Sequence, residues 1–210
     1  RYNAVKQYPL DFEQSIGLLS KYDIHPAGKQ VFSLEDALKT AETIGYPVVV
    51  KAVSEKIIHK SDQGAVRLNL KNSNEVTTAV KAIEKLMGRF SKENKEGIIV
   101  QKMVDKGFEL LVGARQDPEF GPITMVGIGG IYVELFSDAA PGIGVLTRQD
   151  VERMLNNTRA GKVLDGFRGQ VYDREAIINL TIRVSELMAE NPDICELDLN
   201  PVMVFENGYE

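Results

Sequence analysis

GYPVVVKAVSEKIIHKSDQGAV, residues 45–66, carries the reading of the fold. Val48, Val49 and Val50 followed by Lys51, Ala52 and Val53 make a β-branched, apolar run, which reads as a buried strand. An ammonium inside such a strand must reach a cleft or a partner, because an unpaired buried charge is very costly. A phosphate group is a natural partner for it. The strand runs into a loop with His59, Lys60, Ser61, Asp62 and Gly64. Backbone amides near a glycine, with a lysine and a hydroxyl, form the usual cradle for phosphate oxygens. His59 adds a nucleophile, since a neutral imidazole can accept a phosphoryl group and release it again. Taken alone, these residues also read as a surface loop with a solvated histidine and an ordinary strand-end lysine.

Upstream, DFEQSIGLLSKY (11–22) spaces Phe12, Ile16, Leu19 and Tyr22 about one turn apart, which predicts a helix with one apolar face. DIHPAGKQVF reads as loop and short strand. Ser33 with Asp36 three residues on opens a second helix, and Gly45 closes it. Downstream, AVRLNLK (65–71) alternates Val66, Leu68 and Leu70 and predicts a half-buried strand. Asn74 to Phe90 reads as an amphipathic helix. Strands follow at 97–104, 108–117 and 122–130, helices at 148–156 and 173–190, and a last strand at 194–205 interrupted by Pro201. Strands and helices mix first and strands then succeed one another, so the fold class is α+β, with two lobes meeting near residues 97–104.

Composition sets the limits. The chain has 210 residues, 43% apolar and 26% charged, ordinary for a globular protein with a continuous core. A net charge of -5 gives no electrostatic reason to expect nucleic acid or an anionic membrane. No apolar run approaches the roughly 20 residues that span a bilayer, and RYNAVKQYPLDF lacks a signal peptide's apolar stretch. Cys195 alone cannot form an internal disulfide, which fits a reducing, cytoplasmic setting. Arg1 in place of a start methionine leads us to expect a trimmed beginning.

Three further stretches could carry chemistry. In VQKMVDKGFELLVG (100–113) the backbone could hydrogen-bond an adenine edge and Glu109 could accept from ribose hydroxyls. The same residues read as a hairpin with an exposed glutamate and a core Met103. In CELDLNPVMV (195–204), Glu196, Asp198 and Asn200 alternate, so all three point to one face and Leu197 and Leu199 to the other. Three oxygen-bearing side chains suit Mg²⁺, a hard cation; they suit the solvent side of an edge strand equally well. In 117–144 the spacing Gly127–Gly129–Gly130 lacks the long helix of a dinucleotide fingerprint, and close backbone packing is the better reading. Glu134 and Asp138 are candidate cleft acids. His25 reads as a loop residue, and Cys195 as a small buried side chain rather than a nucleophile.

These stretches carry a resemblance. GYPVVVKAVSEKIIHKSDQGAV is similar to the lysine strand and histidine loop of the ATP-grasp subunit of ADP-forming acetyl-CoA synthetases, which are similar in logic to succinyl-CoA synthetase. VQKMVDKGFELLVGARQDPEFGP, GIGGIYVEL and ELDLNPVMV follow in the family's order, so the resemblance covers essentially the whole chain. It implies an ATP-grasp fold over residues 1–210, with two lobes and a nucleotide cleft between them: a small lobe of about 20–98 and a larger lobe of 99–210 plus the N-terminal helix. It implies the reaction acyl-CoA + ADP + phosphate ⇌ acid + CoA + ATP. Lys51 and Ser61 then belong to the phosphate site, and His59 is the relay nucleophile. Gln101, Lys102 and Met103 form the adenine segment, chiefly through backbone, and Glu109 is the ribose acid. Asp198 and Asn200, with Glu196 beside them, hold Mg²⁺. The implied partner is a CoA-binding alpha subunit or fused domain carrying a first phosphohistidine, which makes a hetero-oligomer.

The chain departs from the pattern in three places. Gly64–Ala65 stands where a glycine pair is usual, and no arginine follows Asp138 shortly after it. The resemblance also implies one more strand after ENGYE with an aspartate that helps hold the metal, so the chain ending there is expected to bind Mg²⁺–nucleotide poorly. Two other readings compete: a non-catalytic sensing or structural module of a protein acetyltransferase, and an ATP-dependent carboxylate–amine ligase. His59 together with Lys51 argues against both, because neither a sensor nor a direct ligase needs a loop nucleophile.

Overall fold

The computed structural model describes residues 10–53, 64–88, 90–91, 96–104, 107–129 and 138–210, the Arg168 side chain excepted. His59, Lys60, Ser61, Asp62 and Glu134 lie outside the described residues. The chain divides into two compact units, one of residues 10–15 and 26–105, the other of 1–9, 16–25 and 106–210.

The unit holding 26–105 is built on the valine strand. β2 (Val48–Val53) pairs antiparallel with β4 (Gly97–Lys102) on one side and β3 (Val66–Leu70) on the other. β1 (Lys29–Val31) joins β4, giving the order β1-β4-β2-β3. Val48, Val50 and Ala52 alternate onto one face and bury against Ala37 and Ala41 of α2 (Leu34–Ile44) and Val76, Val80 and Ile83 of α3 (Ser73–Met87). Each of the valines and the isoleucine among them contributes roughly 1.5–3 kcal/mol on burial. Both helices start where local chemistry tells them to. The Ser33 hydroxyl accepts from Asp36 N–H at 3.0 Å, and Asn72 Oδ1 accepts from Glu75 N–H at 3.0 Å. Gly45, at φ 81, closes α2 with its N–H on Ala41 O.

One expectation in this sheet is corrected. Leu70 is buried, but Leu68 is 59% exposed rather than half-buried. Between Val48↔Leu70 and Val50↔Arg67, β2 advances two residues and β3 three. The extra residue is a bulge at Asn69, which takes a left-handed φ of 56, and the alternation slips by one.

The other unit is a four-stranded antiparallel sheet in the order β7-β6-β5-β8, from β5 (Phe108–Asp117), β6 (Gly121–Ile128), β7 (Ala139–Ile143) and β8 (Glu196–Val204). Leu110, Val112 and Val126 bury against α4 (Arg148–Asn156), α5 (Arg159–Leu164) and above all α6 (Arg174–Glu190), whose Ile177, Leu180, Val184 and Leu187 recur at helical spacing. Leu19 of α1 (Phe12–Ser20) joins this core. Behind α1, Tyr22 donates to Glu190 at 2.7 Å, and Arg183 pairs with Asp23 at 2.7 Å. The chain turns back after β8: Met203 and Glu210 exchange backbone hydrogen bonds of 2.7 and 2.8 Å. The Asp173 carboxylate accepts from Ala176 N–H, capping α6, and from Gly208 N–H, fixing that turn. Among the described residues no helix is long and apolar enough to cross a membrane.

Candidate functional site

The acids of β8 are placed by alternation. Leu197 and Leu199 pack against the helix-side core, which leaves Glu196, Asp198 and Asn200 exposed on the sheet's other face. Pro201 then breaks the pattern, and a register shift returns Val202 and Val204 to the core side. Opposite, β5 sends Leu110, Val112 and Ala114 inward, so Glu109, Gly113 and Arg115 share the face of the acids. Arg115 stands across from Glu196 and Gly113 across from Asp198. The Asp198 residue remains solvent-accessible, yet neighbouring atoms partly desolvate its carboxyl. That desolvation, and after it the Glu196 charge, raises its pKa. A carboxyl held this way gains from a cation.

Glu109 is exposed on the same face, opposite Met203, with its main-chain carbonyl accepting from Gly129 N–H at 3.0 Å. Four residue steps along the strand separate it from Gly113, about 14 Å, so the acid proposed for ribose stands well apart from Asp198. Among the described residues no group of three or more histidine, cysteine, aspartate or glutamate side chains is gathered for a metal. The donor set on β8 is two carboxylates and one amide, all hard oxygen donors of the kind Mg²⁺ takes.

In the other unit, Lys51 lies opposite Ile99 and Val66, on the face turned away from the helices, and is partly buried. Gln101, opposite Val49, shares that face. Lys102, opposite Val48, lies on the helix side, where its ammonium donates to Gly45 O at 2.7 Å and Tyr46 O at 3.0 Å. This cation satisfies carbonyls at the end of α2. The Met103 N–H donates to Pro47 O at 3.0 Å. Of the adenine segment, only Gln101 shares a sheet face with Lys51. A groove of about 460 Å³ between β3 and α3, lined by Arg67, Leu70, Asn74 and Thr78, contains none of the expected site residues.

Two expectations are corrected here. Asp138 is not a cleft acid: its carboxylate accepts from Arg159 N–H at 2.8 Å and Ala160 N–H at 3.0 Å, capping α5 from outside the helix. Asp138→Ala is therefore expected to destabilise the protein by about 1 kcal/mol, seen as a lower melting temperature, with nucleotide affinity unchanged. Cys195 is exposed rather than buried: it lies just ahead of β8, with its carbonyl accepting from Gln116 N–H at 2.9 Å. His25 is the loop residue expected, with Nε2 3.0 Å from Asp23 Oδ1. Close packing does account for Gly127 and Gly129: a Cβ on Gly127 would stand 1.9 Å from Asp138 O and one on Gly129 2.7 Å from Leu110 O, while Gly130 lies outside the described residues.

A family model described as an ATP-grasp domain matches residues 3–210. The chain belongs to the ATP-grasp family. This ATP-grasp chain is 41% identical over 198 residues to acetate–CoA ligase [ADP-forming] I of Archaeoglobus fulgidus, covering 93% of the chain and 29% of the relative. It therefore spans under a third of that relative's length. It is 37% identical over 203 residues to the beta subunit of acetate–CoA ligase [ADP-forming] I of Pyrococcus furiosus, covering 95% of the chain and 88% of the subunit. Among solved structures it resembles the Ca. Korarchaeum cryptofilum dinucleotide forming acetyl-coenzyme A synthetase 1, in complex with coenzyme A and Mg-AMPPCP and with a phosphohistidine segment pointing towards the nucleotide binding site. The TM-score is 0.80 at 39% identity, covering 95% of this chain and 87% of that one. The expected ATP-grasp, α+β fold stands.

Sequence reasoning passed over two residues of the acidic face, Arg115 and Gly113. Gly113 meets Asp198 only through the β5–β8 register. Its one sequence signal is a glycine inside the strand run LLVGA.

Proposed function

We propose that this chain is the nucleotide-binding part of an ADP-forming acyl-CoA ligase of the acetate–CoA type, an acid–thiol ligase, and that it exchanges a phosphoryl group between His59 and ADP. The observation that carries the reading is the near-full-length match to an ADP-forming acetate–CoA ligase beta subunit. It is joined by a strand that lines Glu196, Asp198 and Asn200 along one face.

In the ATP-consuming direction, an imidazole nitrogen of His59 attacks the γ-phosphorus. The N–P bond forms, the bond from the γ-phosphorus to the bridging oxygen breaks, and ADP leaves with that electron pair. In the reverse direction a β-phosphate oxygen of ADP takes the phosphoryl group back. Such a transfer depends mostly on positioning and charge neutralisation. Lys51 and Ser61 hold phosphate oxygens, Gln101, Lys102 and Met103 present the adenine segment, and Glu109 accepts from ribose. Asp198 and Asn200, with Glu196, would hold Mg²⁺, which supplies charge neutralisation at the phosphates.

The acyl and CoA steps belong, in this reading, to a CoA-binding alpha subunit or fused domain with the first phosphohistidine. Relatives of both arrangements support that: a separate beta subunit in one organism, a much longer chain in another. The setting is cytoplasmic.

The test is phosphoryl transfer from γ-labelled ATP with Mg²⁺, in the presence of the CoA-binding partner. Base-stable, acid-labile label on the chain is expected, and it should vanish in His59→Ala while nucleotide still binds. Label that survives in His59→Ala, or no label on wild-type protein that binds ATP, would sink the phosphohistidine relay.

A further inference from the structure

Gly113 is the strand glycine that the fold does not explain. Glycine inside a strand is unfavourable, because it costs backbone entropy and packs nothing. The other described strand glycines each have a structural cause. Gly121 takes a left-handed φ of 73. A Cβ on Gly97 would stand 2.5 Å from Val31 O, one on Gly127 1.9 Å from Asp138 O, and one on Gly142 2.7 Å from the side chains of Leu146 and Met154. Gly113 has neither cause. Its φ is not in the left-handed region, and a Cβ there would meet Leu197 O at 3.5 Å, Asp198 Oδ1 at 3.8 Å and Leu111 Cδ1 at 4.0 Å, which is ordinary contact. An alanine therefore fits the protein. What it would fill is the space beside the Asp198 carboxylate, on the face that carries Glu196 and Asn200.

We propose that Gly113 is a positioning residue for the metal–polyphosphate: its bare backbone keeps open the approach to the Asp198 carboxylate. The inference rests on the nucleotide-binding reading given above. A methyl group at position 113 stands within van der Waals reach of a carboxylate oxygen that the cation must approach to about 2.1 Å while the phosphates stay close. Valine at the same place adds two more carbons and closes the face further, while being a better strand former than glycine. Fold stability and ligand binding are thus expected to move in opposite directions, which a purely structural glycine would not allow.

The experiment compares wild type, Gly113→Ala and Gly113→Val in the full-length protein, titrated calorimetrically with ADP in Mg²⁺ and with ADP in EDTA. Melting temperatures are expected to hold or rise. Affinity in EDTA should stay unchanged, and affinity in Mg²⁺ should fall at least about tenfold for alanine, and more for valine. Equal Mg²⁺–ADP affinity in all three proteins overturns the inference, as does a melting temperature that falls along with binding, since the glycine is then required by the fold. A wild-type protein that binds ADP in neither buffer removes the nucleotide reading itself, and the inference with it.

Discussion

Gly127→Ala is expected to lose a large part of the protein's thermal stability. The added Cβ would stand 1.9 Å from Asp138 O, 2.8 Å from Ala139 Cα and 2.9 Å from Asp138 C, all backbone atoms. Flexible side chains can yield to such an overlap; a strand backbone cannot. β6 is an inner strand, paired at Gly127 with Leu111 on one side and Ala139 on the other, so it has nowhere to retreat. Relief requires parting β7 from β6, and that also pulls Asp138 off the start of α5. Overpacking of this kind belongs to the large class of destabilisations, about 3–5 kcal/mol, against a total stability of roughly 5–15 kcal/mol. For a protein of this size it corresponds to a drop of roughly 10 °C or more in melting temperature. Circular dichroism melts of Gly127→Ala beside Gly113→Ala make the comparison internal. Equal melting of the two would show that the β6–β7 approach is not as close as described.

Asp198→Asn is expected to cut Mg²⁺-dependent nucleotide affinity by about 10–100-fold, the usual range for the loss of a metal-site group, while leaving the fold intact. The sign follows from the raised pKa of Asp198, caused first by desolvation and then by Glu196. A carboxyl whose folded pKa exceeds its unfolded value takes up its proton more readily in the folded state. Its contribution to stability is present at low pH and is lost as pH rises through the folded pKa. At neutral pH the ionised group weighs against folding, so the neutral amide should melt at the same temperature or slightly higher. Metal binding runs the other way, because the cation competes with the proton. Mg²⁺–ADP affinity should therefore begin to fall, on acidification, at a higher pH than an ordinary aspartate would give. Calorimetric titrations stepped from about pH 7 to about pH 4, paired with melts, test both directions. Affinity that survives in Asp198→Asn would remove Asp198 from the metal's ligands.

Much of this architecture could be read residue by residue, and the reason is locality. Ser33 caps α2, and the valine run is β2, because capping and periodicity act over a few residues. The one-sided placement of Glu196, Asp198 and Asn200 followed from strand alternation alone. What escaped was set by distant partners. β7, sequence AAPGI, has almost none of the β-branched content that marks a strand, and it forms because β6 lies beside it. α5 is six residues long and contains Gly161, whose Cβ would strike Leu155 O at 2.0 Å. Asp138 looked like a free acid because the amides it caps lie 21 and 22 residues further on. Leu68 looked half-buried because a bulge at Asn69 cannot be seen in a hydrophobicity pattern. Gly113 meets Asp198 only because β5 and β8, far apart in sequence, are sheet neighbours. The assignments of His59 and Ser61 rest on the resemblance, since both residues lie outside those described.

The bulge at Asn69 has a further consequence, for what happens when copies of this protein crowd together. An outermost strand offers unpaired amides and carbonyls to any passing chain and can seed strand-by-strand aggregation. Among the described residues β3 is such a strand and carries Leu68 facing solvent, yet its bulge bends the ladder that an incoming strand would have to match. The other borders among the described residues are blunted by other means. β1 offers three residues, β7 lacks an amide hydrogen at Pro141, and β8 lacks one at Pro201 and is partly covered by Tyr209 and Glu210. The residue that spoils the alternation of β3 is thus expected also to hinder strand addition at that edge.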